Sequence, residues 1–590
     1  MKTTSAQAIS LLLAGSLCLL PFLLPDHQQP VLSFFPEWLA AALGVAAALA
    51  LLLAQRVPAA SFPAPARWLI AFAMALVVQA AIGRHAYFQL PLLAALYVLY
   101  AALMIWLGAN LAAVVGTERV ASVLAAFLVA GALANSMAGV IQFHGRTPLF
   151  EDVVAELHGN RAYGNIAQPN LYANYLALGE GALLFLWLRA RVRTVYALLA
   201  LALLVFGSAL SGSRSAVLYA LWYAALGLVA ARVQDAGDAR RLKLAACVVA
   251  VSALAAHYAV PWLIDALRAG PPGGESALGR LLSSPFEHAE PRRQAALIAF
   301  RVFAGAPLAG VGIGEFAGAA FESGLNPSLT HLGEVWTSPH NLPLHLLAET
   351  GLLGTVLALG GLCAWGWQAA RRYWTGPEVT SWWIIAAVGI EIIHSMIEFP
   401  LWSAHFLGVT ALLIGAGVRV EARSTSRTGW IAPAAACAAL SVTLGITLRD
   451  YVRLDTTRIS GTALSLTSAD QARRDAATMR ELTHGILAPL AELWIVIGAP
   501  PDRGNLADKL AMSERVARFW PANAVVVRRA IFLALDDKVE EGRSLLARAL
   551  KTFPHQLTAT ILILEQARTA DPGAIDPLLA LARIASGERK

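Results

Sequence analysis

Apolar runs recur along the chain, each near the length that crosses a bilayer. They fall at about 6–24, 38–54, 66–82, 90–107, 120–143, 171–188, 195–210, 216–231, 242–263, 341–367, 379–393, 401–418 and 431–448. The pattern predicts an all-α polytopic membrane protein with about thirteen transmembrane helices. The first run, after Lys2, reads as a span and not as a cleaved signal: it is long enough to cross, and Gly15-Ser16-Leu17-Cys18 lacks the small residue that a lipoprotein signal places before its cysteine. After residue 448 the pattern becomes that of soluble helices with regular charges. Segments 511–519, 524–535 and 540–553, the last with Pro554 after it, alternate small and apolar positions as tetratricopeptide-like (TPR-like) pairs do. Two domains follow: a transmembrane catalytic domain over 1–448, with a large outer loop at 264–339, and a helical TPR-like domain over 449–590. That tail either contacts a protein or caps the outer face.

Composition agrees with the periodicity. Hydrophobic residues make up 57% and charged residues 14%, against about 25% charged in soluble proteins. Cys18, Cys247, Cys363 and Cys437 all fall inside apolar runs, which points to packing and away from disulfides or thiolate metal sites. The net charge of +7 is spread over loops, so nucleic acid is not an expected partner. The charge orients the helices instead. With the N-terminus inside, sixteen Lys and Arg lie in inner loops, while the short outer loops hold only Arg84, Arg146, Arg161 and Arg214. An odd number of spans then puts the tail outside, which for a bacterial inner membrane is the periplasm.

Candidate chemistry gathers at the outer helix ends. In Ser338-Pro339-His340-Asn341, serine suits a cap and proline the first helical position, so His340 is expected in the first turn of a membrane helix. There the positive end of the helix dipole favours the neutral ring, which can accept a proton; a capping or interfacial histidine is the alternative. Gln168-Pro169-Asn170 opens another span and Ser211-Gly212-Ser213-Arg214 a third, and such ends attract anions. Arg161, Arg214, and Arg292 or its neighbour Arg293 would add forked phosphate contacts. The outer loop also carries Gly270–Gly274 and Gly310–Gly314, which read as flexible hinges because no βαβ unit surrounds them. Between these glycines, 292–304 is amphipathic and could lie in the membrane interface. His394 and Glu398 are four apart and share a helical face unless Pro400 breaks it. Glu349, nine residues past His340 and half a turn out of phase, is expected to reach another helix.

These blocks together resemble a known family. Gly159-Asn160-Arg161 through Asn170, the segment from Arg292 to Gly314, His340-Asn341 through Glu349-Thr350-Gly351, and His394-Ser395 through Glu398-Phe399-Pro400-Leu401 look like bacterial PglL-type O-oligosaccharyltransferases, within the superfamily of O-antigen ligases and polymerases. The chain departs from the family pattern at Ala296, where relatives carry tryptophan, and at Ile313, where they carry an aromatic. The resemblance implies transfer of a preassembled glycan from undecaprenyl diphosphate to a serine or threonine of a periplasmic protein such as pilin, without a cofactor and with inversion. By the same resemblance His340 would be the general base and Arg161, Arg214 and Arg292 or Arg293 the diphosphate clamp. Gln168, Asn170, Asn341, Glu349, His394 and Glu398 would support them. No Asp-x-Asp or His-Glu-x-x-His occurs, which argues against a metal-dependent transferase or protease. Two other readings stand beside this one: a ligase or polymerase with a glycan acceptor, and a transporter. The transporter is weakest, because its polar groups should gather at mid-membrane and not at one face.

Overall fold

The computed structural model describes residues 4–27, 30–54, 62–82, 85–145, 148–230, 232, 237–267, 289–323, 335–418, 430–462 and 469–587. The expectations for Arg84, Arg146 and Gly270–Gly274 lie outside the described residues. Every regular element among those residues is a helix. Nine are long and apolar enough to cross a membrane: Ser5–Leu23, Phe34–Leu53, Ala64–Ile82, Gln89–Val115, Thr117–His144, Pro169–Leu188, Arg240–Val260, Leu342–Thr375 and Ile431–Thr457. Four shorter apolar helices, Thr194–Leu210, Ser215–Ala230, Val379–Ser395 and Ala404–Ala416, coincide with the remaining runs. The all-α, polytopic reading of the sequence therefore holds.

The chain divides into two compact units, each discontinuous in sequence. The first comprises Met1–Ala71, Tyr97–Phe286 and Leu357–Leu444. Lipid supplies no hydrophobic drive between its helices, so close approach at small residues carries the packing. Where Gln89–Val115 crosses Ala404–Ala416, a Cβ on Gly108 would stand 2.2 Å from Leu412 O, and one on Gly415 2.2 Å from Ile105 O. Aromatic rings fill other crossings: Phe185 stacks on Trp383 at 5.1 Å and Phe22 on Tyr175 at 4.0 Å. Three buried amides hold the loop that precedes Pro169–Leu188. Asn135 Oδ1 accepts from Asn165 N, Asn165 Nδ2 donates to Leu23 O and Val153 O, and Gln142 Oε1 accepts from Tyr163 N and Gly164 N. Buried backbone groups with no regular partner need such side chains. Their satisfaction fixes the path of the loop that carries Arg161.

The second unit comprises Phe72–Leu96, Glu287–Val356 and Gly445–Lys590. Its organising feature is a break in the helix Leu342–Thr375 at Gly351, where φ is 63° and ψ −168°. The break strips Ala348, Glu349, Leu352 and Leu353 of helical partners, and the segment 307–314 replaces them. Val311 N donates to Ala348 O and Gly312 N to Glu349 O, both at 2.9 Å, while Leu352 N donates to Pro307 O at 2.8 Å. The glycines of 310–314 are thus a docked strap, not the flexible hinge expected from the sequence. Contact this close excludes side chains: a Cβ on Gly310 would lie 2.3 Å from the Glu349 carbonyl carbon, and one on Gly351 2.3 Å from that of Leu308.

The amphipathic segment forms the helix Ala289–Gly305. Its apolar residues Ile298, Ala299 and Val302 are buried on Phe316, Ala320 and Ala348, so protein covers the face that the sequence left open to a membrane interface. The tail continues with Leu506–Phe519, Asn523–Leu535, Val539–Thr552, Leu557–Arg568 and Pro572–Ala585, around a core that includes Ile531, Leu535, Leu546, Leu564, Ile575 and Leu578. It packs onto the helix Phe316–Glu322. Phe321 is buried with Val526, Ala549 and Phe553, and Arg518 meets Glu315 and Arg548 meets Glu322, each at 2.6 Å. Nearby, Tyr87 donates to Glu492 Oε2 at 2.6 Å. Burial and then the hydrogen bond to Glu492 hold its hydroxyl pKa well above the usual tyrosine range, so it remains a neutral donor.

Candidate active site

In the first unit, Pro169 begins a helix as expected, and the Gln168 side chain caps it by accepting from Leu171 N at 2.6 Å. The cap sets Asn170 in the first turn, where three interhelical segments meet. Arg161 Nε donates to Ser211 O at 2.7 Å and its Nη2 to Asn170 Oδ1 at 3.0 Å. Asn170 Oδ1 also accepts from Ser213 Oγ at 2.9 Å, while Asn170 Nδ2 donates to Glu398 Oε1 at 3.1 Å. Arg161, Asn170 and Glu398, picked from separate blocks of sequence, are therefore one hydrogen-bonded network. Arg214 follows Ser213 directly, half-buried at the start of Ser215–Ala230.

The expected His394–Glu398 helical face is altered. The helix Val379–Ser395 ends before Glu398, whose amide closes the last turn on His394 O at 2.8 Å. His394 is fully buried and its Nδ1 bonds the Tyr219 hydroxyl. Tyr219 was not picked from the sequence. It lies within an apolar run with no motif around it, and only the packing of Ser215–Ala230 on Val379–Ser395 brings the two together.

In the second unit, the helix after His340 starts later than the sequence implied. Asn341, not Ser338, caps it: Asn341 Oδ1 accepts from Leu344 N at 3.1 Å and its carbonyl from His345 N at 2.9 Å. Ser338 Oγ instead accepts from His340 N at 3.2 Å. His340 thus precedes the helix, half-buried, at a left-handed φ of 52° with its ring edge-on to Trp336 at 4.5 Å. The physical reason is that Asn341 and Pro343 form as good a cap and first turn as Ser338 and Pro339 do, and the later pair wins.

Glu349, expected to reach another helix, meets the glycine strap and the first amide of the short helix Phe316–Glu322. Its Oε1 accepts from Gly314 N at 3.0 Å and Phe316 N at 3.2 Å, pinning the glycine strap. The same oxygen lies 3.3 Å from His345 Nε2, a buried neighbour that no sequence signal marked. Arg292 and Arg293 both lie exposed near the start of Ala289–Gly305. Among the described residues no group of three His, Cys, Asp or Glu is placed to hold a metal ion.

Residues 382–563 match a family model described as "Virulence factor membrane-bound polymerase, C-terminal". Over 458 residues the chain is 28% identical to a protein of Acinetobacter baylyi (strain ATCC 33305 / BD413 / ADP1) named "General O-oligosaccharyltransferase", and the alignment covers 75% of each chain. Both similarities agree with the resemblance of the sequence blocks to PglL-type members of the O-antigen ligase and polymerase superfamily. The span matched by the family model includes His394, Glu398 and much of the tail, while His340 and Arg161 lie before it.

Proposed function

We propose that the chain is an O-oligosaccharyltransferase that moves a preassembled glycan from undecaprenyl diphosphate to a serine or threonine of a periplasmic protein, pilin-like in kind. The observation that carries the reading is the network of Arg161, Asn170, Ser213 and Glu398 beside Arg214, together with the similarity to a named oligosaccharyltransferase. Arginine, held by neutral and acidic neighbours at a helix N-terminus, suits a diphosphate better than it suits packing. In the reaction the acceptor oxygen forms a bond to the anomeric carbon as the bond from that carbon to the diphosphate oxygen breaks. His340 takes the hydroxyl proton, and Arg161, Arg214 and Arg292 or Arg293 receive the charge that builds on the leaving diphosphate. Displacement from the opposite face inverts the anomeric centre.

A second reading, a polymerase with a glycan acceptor, is favoured by the wording of the family model. Purified protein, lipid-linked glycan and either a pilin-type acceptor or a second lipid-linked glycan distinguish the two by mass spectrometry of the product. A glycan on serine or threonine is the expected result. A lengthened lipid-linked glycan with unmodified protein would overturn it.

A further inference from the structure

One turn further into the first unit than the Arg161 network lies a second polar layer that the proposed reaction does not use. Asn174 follows Asn170 by one turn in Pro169–Leu188, and Glu391 precedes Ser395 by one turn in Val379–Ser395. These two helices pack directly on each other. Asn174 is 0% and Glu391 1% exposed, and the Asn174 amide faces both the Glu391 carboxyl and the Tyr219 hydroxyl. Among the described residues, none of the two amide atoms and two carboxyl oxygens makes a hydrogen bond of good geometry. Four unpaired polar atoms in two facing side chains are costly at membrane depth, so the pair has to answer its own needs.

Charge decides the form this takes. The helices Pro169–Leu188, Ser215–Ala230, Val379–Ser395 and Ala404–Ala416 contain no lysine or arginine. Tyr219 faces Glu391 from Ser215–Ala230, and Arg189, the cation that bonds Thr380 of Val379–Ser395, is about three turns of helix away from Glu391. An ionised Glu391 would be an uncompensated buried charge, and its oxygens would repel Asn174 Oδ1. A protonated carboxyl has complementary needs: its O–H donates to the amide oxygen while the amide N–H donates to its carbonyl oxygen.

We propose that Asn174 and Glu391 form a buried carboxylic acid and amide pair whose role is to position the Arg161 network. The pair fixes the register of Pro169–Leu188 against Val379–Ser395, so that Asn170 and Glu398 meet one turn above. The inference rests on the reading of that network as the donor clamp.

The test uses the purified full chain and measures KM for the lipid-linked donor, kcat and thermal unfolding. Glu391→Gln, which re-forms the pair as two amides, is expected within about twofold of the parent in both constants. Glu391→Leu and Asn174→Leu are expected to raise donor KM about tenfold with kcat changed less than about threefold. The double Asn174→Leu/Glu391→Leu chain, with no unpaired polar group left, should unfold near the parent temperature and keep the raised KM. Glu391→Gln as impaired as Glu391→Leu would mean that an ionised carboxylate is needed, and an unchanged KM in Glu391→Leu would reduce the pair to packing. Either result overturns the proposal. The clamp reading is tested separately by Arg161→Ala: an unchanged donor KM there removes the clamp whatever the pair does.

Discussion

His340 adopts a left-handed backbone that costs an ordinary residue about 1–2 kcal/mol, at the one position where the proposed reaction needs a base. Ring and backbone can be separated by mutation. His340→Ala and His340→Gly should both lose transfer while still binding the lipid-linked donor, and the glycine chain should be more stable than the alanine chain by about 1 kcal/mol in thermal unfolding. Near-normal turnover in either would make the histidine a structural residue only. Arg161 gives the complementary case, because it donates through Nε and Nη2 to different partners and lysine has only one such group. Arg161→Lys is expected to weaken donor binding about tenfold, read by titration with the lipid-linked donor, and to slow transfer without abolishing it. At this scale the sequence named His340, Arg161, Asn170 and Glu398 from residue type and helix-end position. It could not place the helix start, because Ser338-Pro339 and Asn341 with Pro343 offer competing caps. Nor did it point to Tyr219 or His345, whose partners are set by packing across helices.

Among the elements, the broken helix and its glycine strap hold the segment that carries His340. Glu349→Ala leaves the buried amide of Phe316 and the half-buried amide of Gly314 without an acceptor and should destabilise the protein by about 1–3 kcal/mol for the first and less for the second. Gly351→Ala meets both a positive φ and the Leu308 backbone, so a loss of several kcal/mol or of folded protein is expected, seen as a fall in the detergent melting temperature. Charges matter more in the tail. Asp571 has its carboxyl pKa held below the ordinary range by the Ala574 amide it caps and then by Arg503, and Asp502 by Lys509 and then the Gly504 amide. Because both folded values are depressed, the stability these groups lend is full above about pH 4 and is lost as the pH falls further. Proteolysis of the tail in the full chain should quicken below about pH 4, and Asp571→Asn, which keeps a capping oxygen but cannot titrate, should flatten that dependence. The long helices were legible because apolar length is their whole signal. The strap was not, since glycines carry no periodicity and what orders them is a helix break distant in sequence.

For the whole molecule, the odd number of spans predicts an outside tail and an outside His340. With Cys363, which is exposed, and the other cysteines replaced first, a cysteine at Ser338 or Ala524 should react with an impermeant thiol reagent from outside, and one at Ala239 should not. Reversed labelling would detach the proposed chemistry from a periplasmic acceptor. Truncation after Pro500 removes Arg518 from Glu315 and Phe553 from Phe321, so it should lower transfer to a short peptide as well as to a folded protein. Loss confined to the folded acceptor would instead make the tail purely a recognition surface.

The crossing at Gly108 and Gly415 has a genetic consequence. What an added methyl would strike on each side is a carbonyl oxygen of the main chain, which no substitution elsewhere can trim. A strain crippled by Gly108→Ala therefore has no neighbouring side chain to shorten in compensation. Selection for recovered activity should return glycine codons at position 108 itself and few intragenic suppressors. Defects at crossings lined by side chains, such as Gly44 against Met104, should yield second-site revertants.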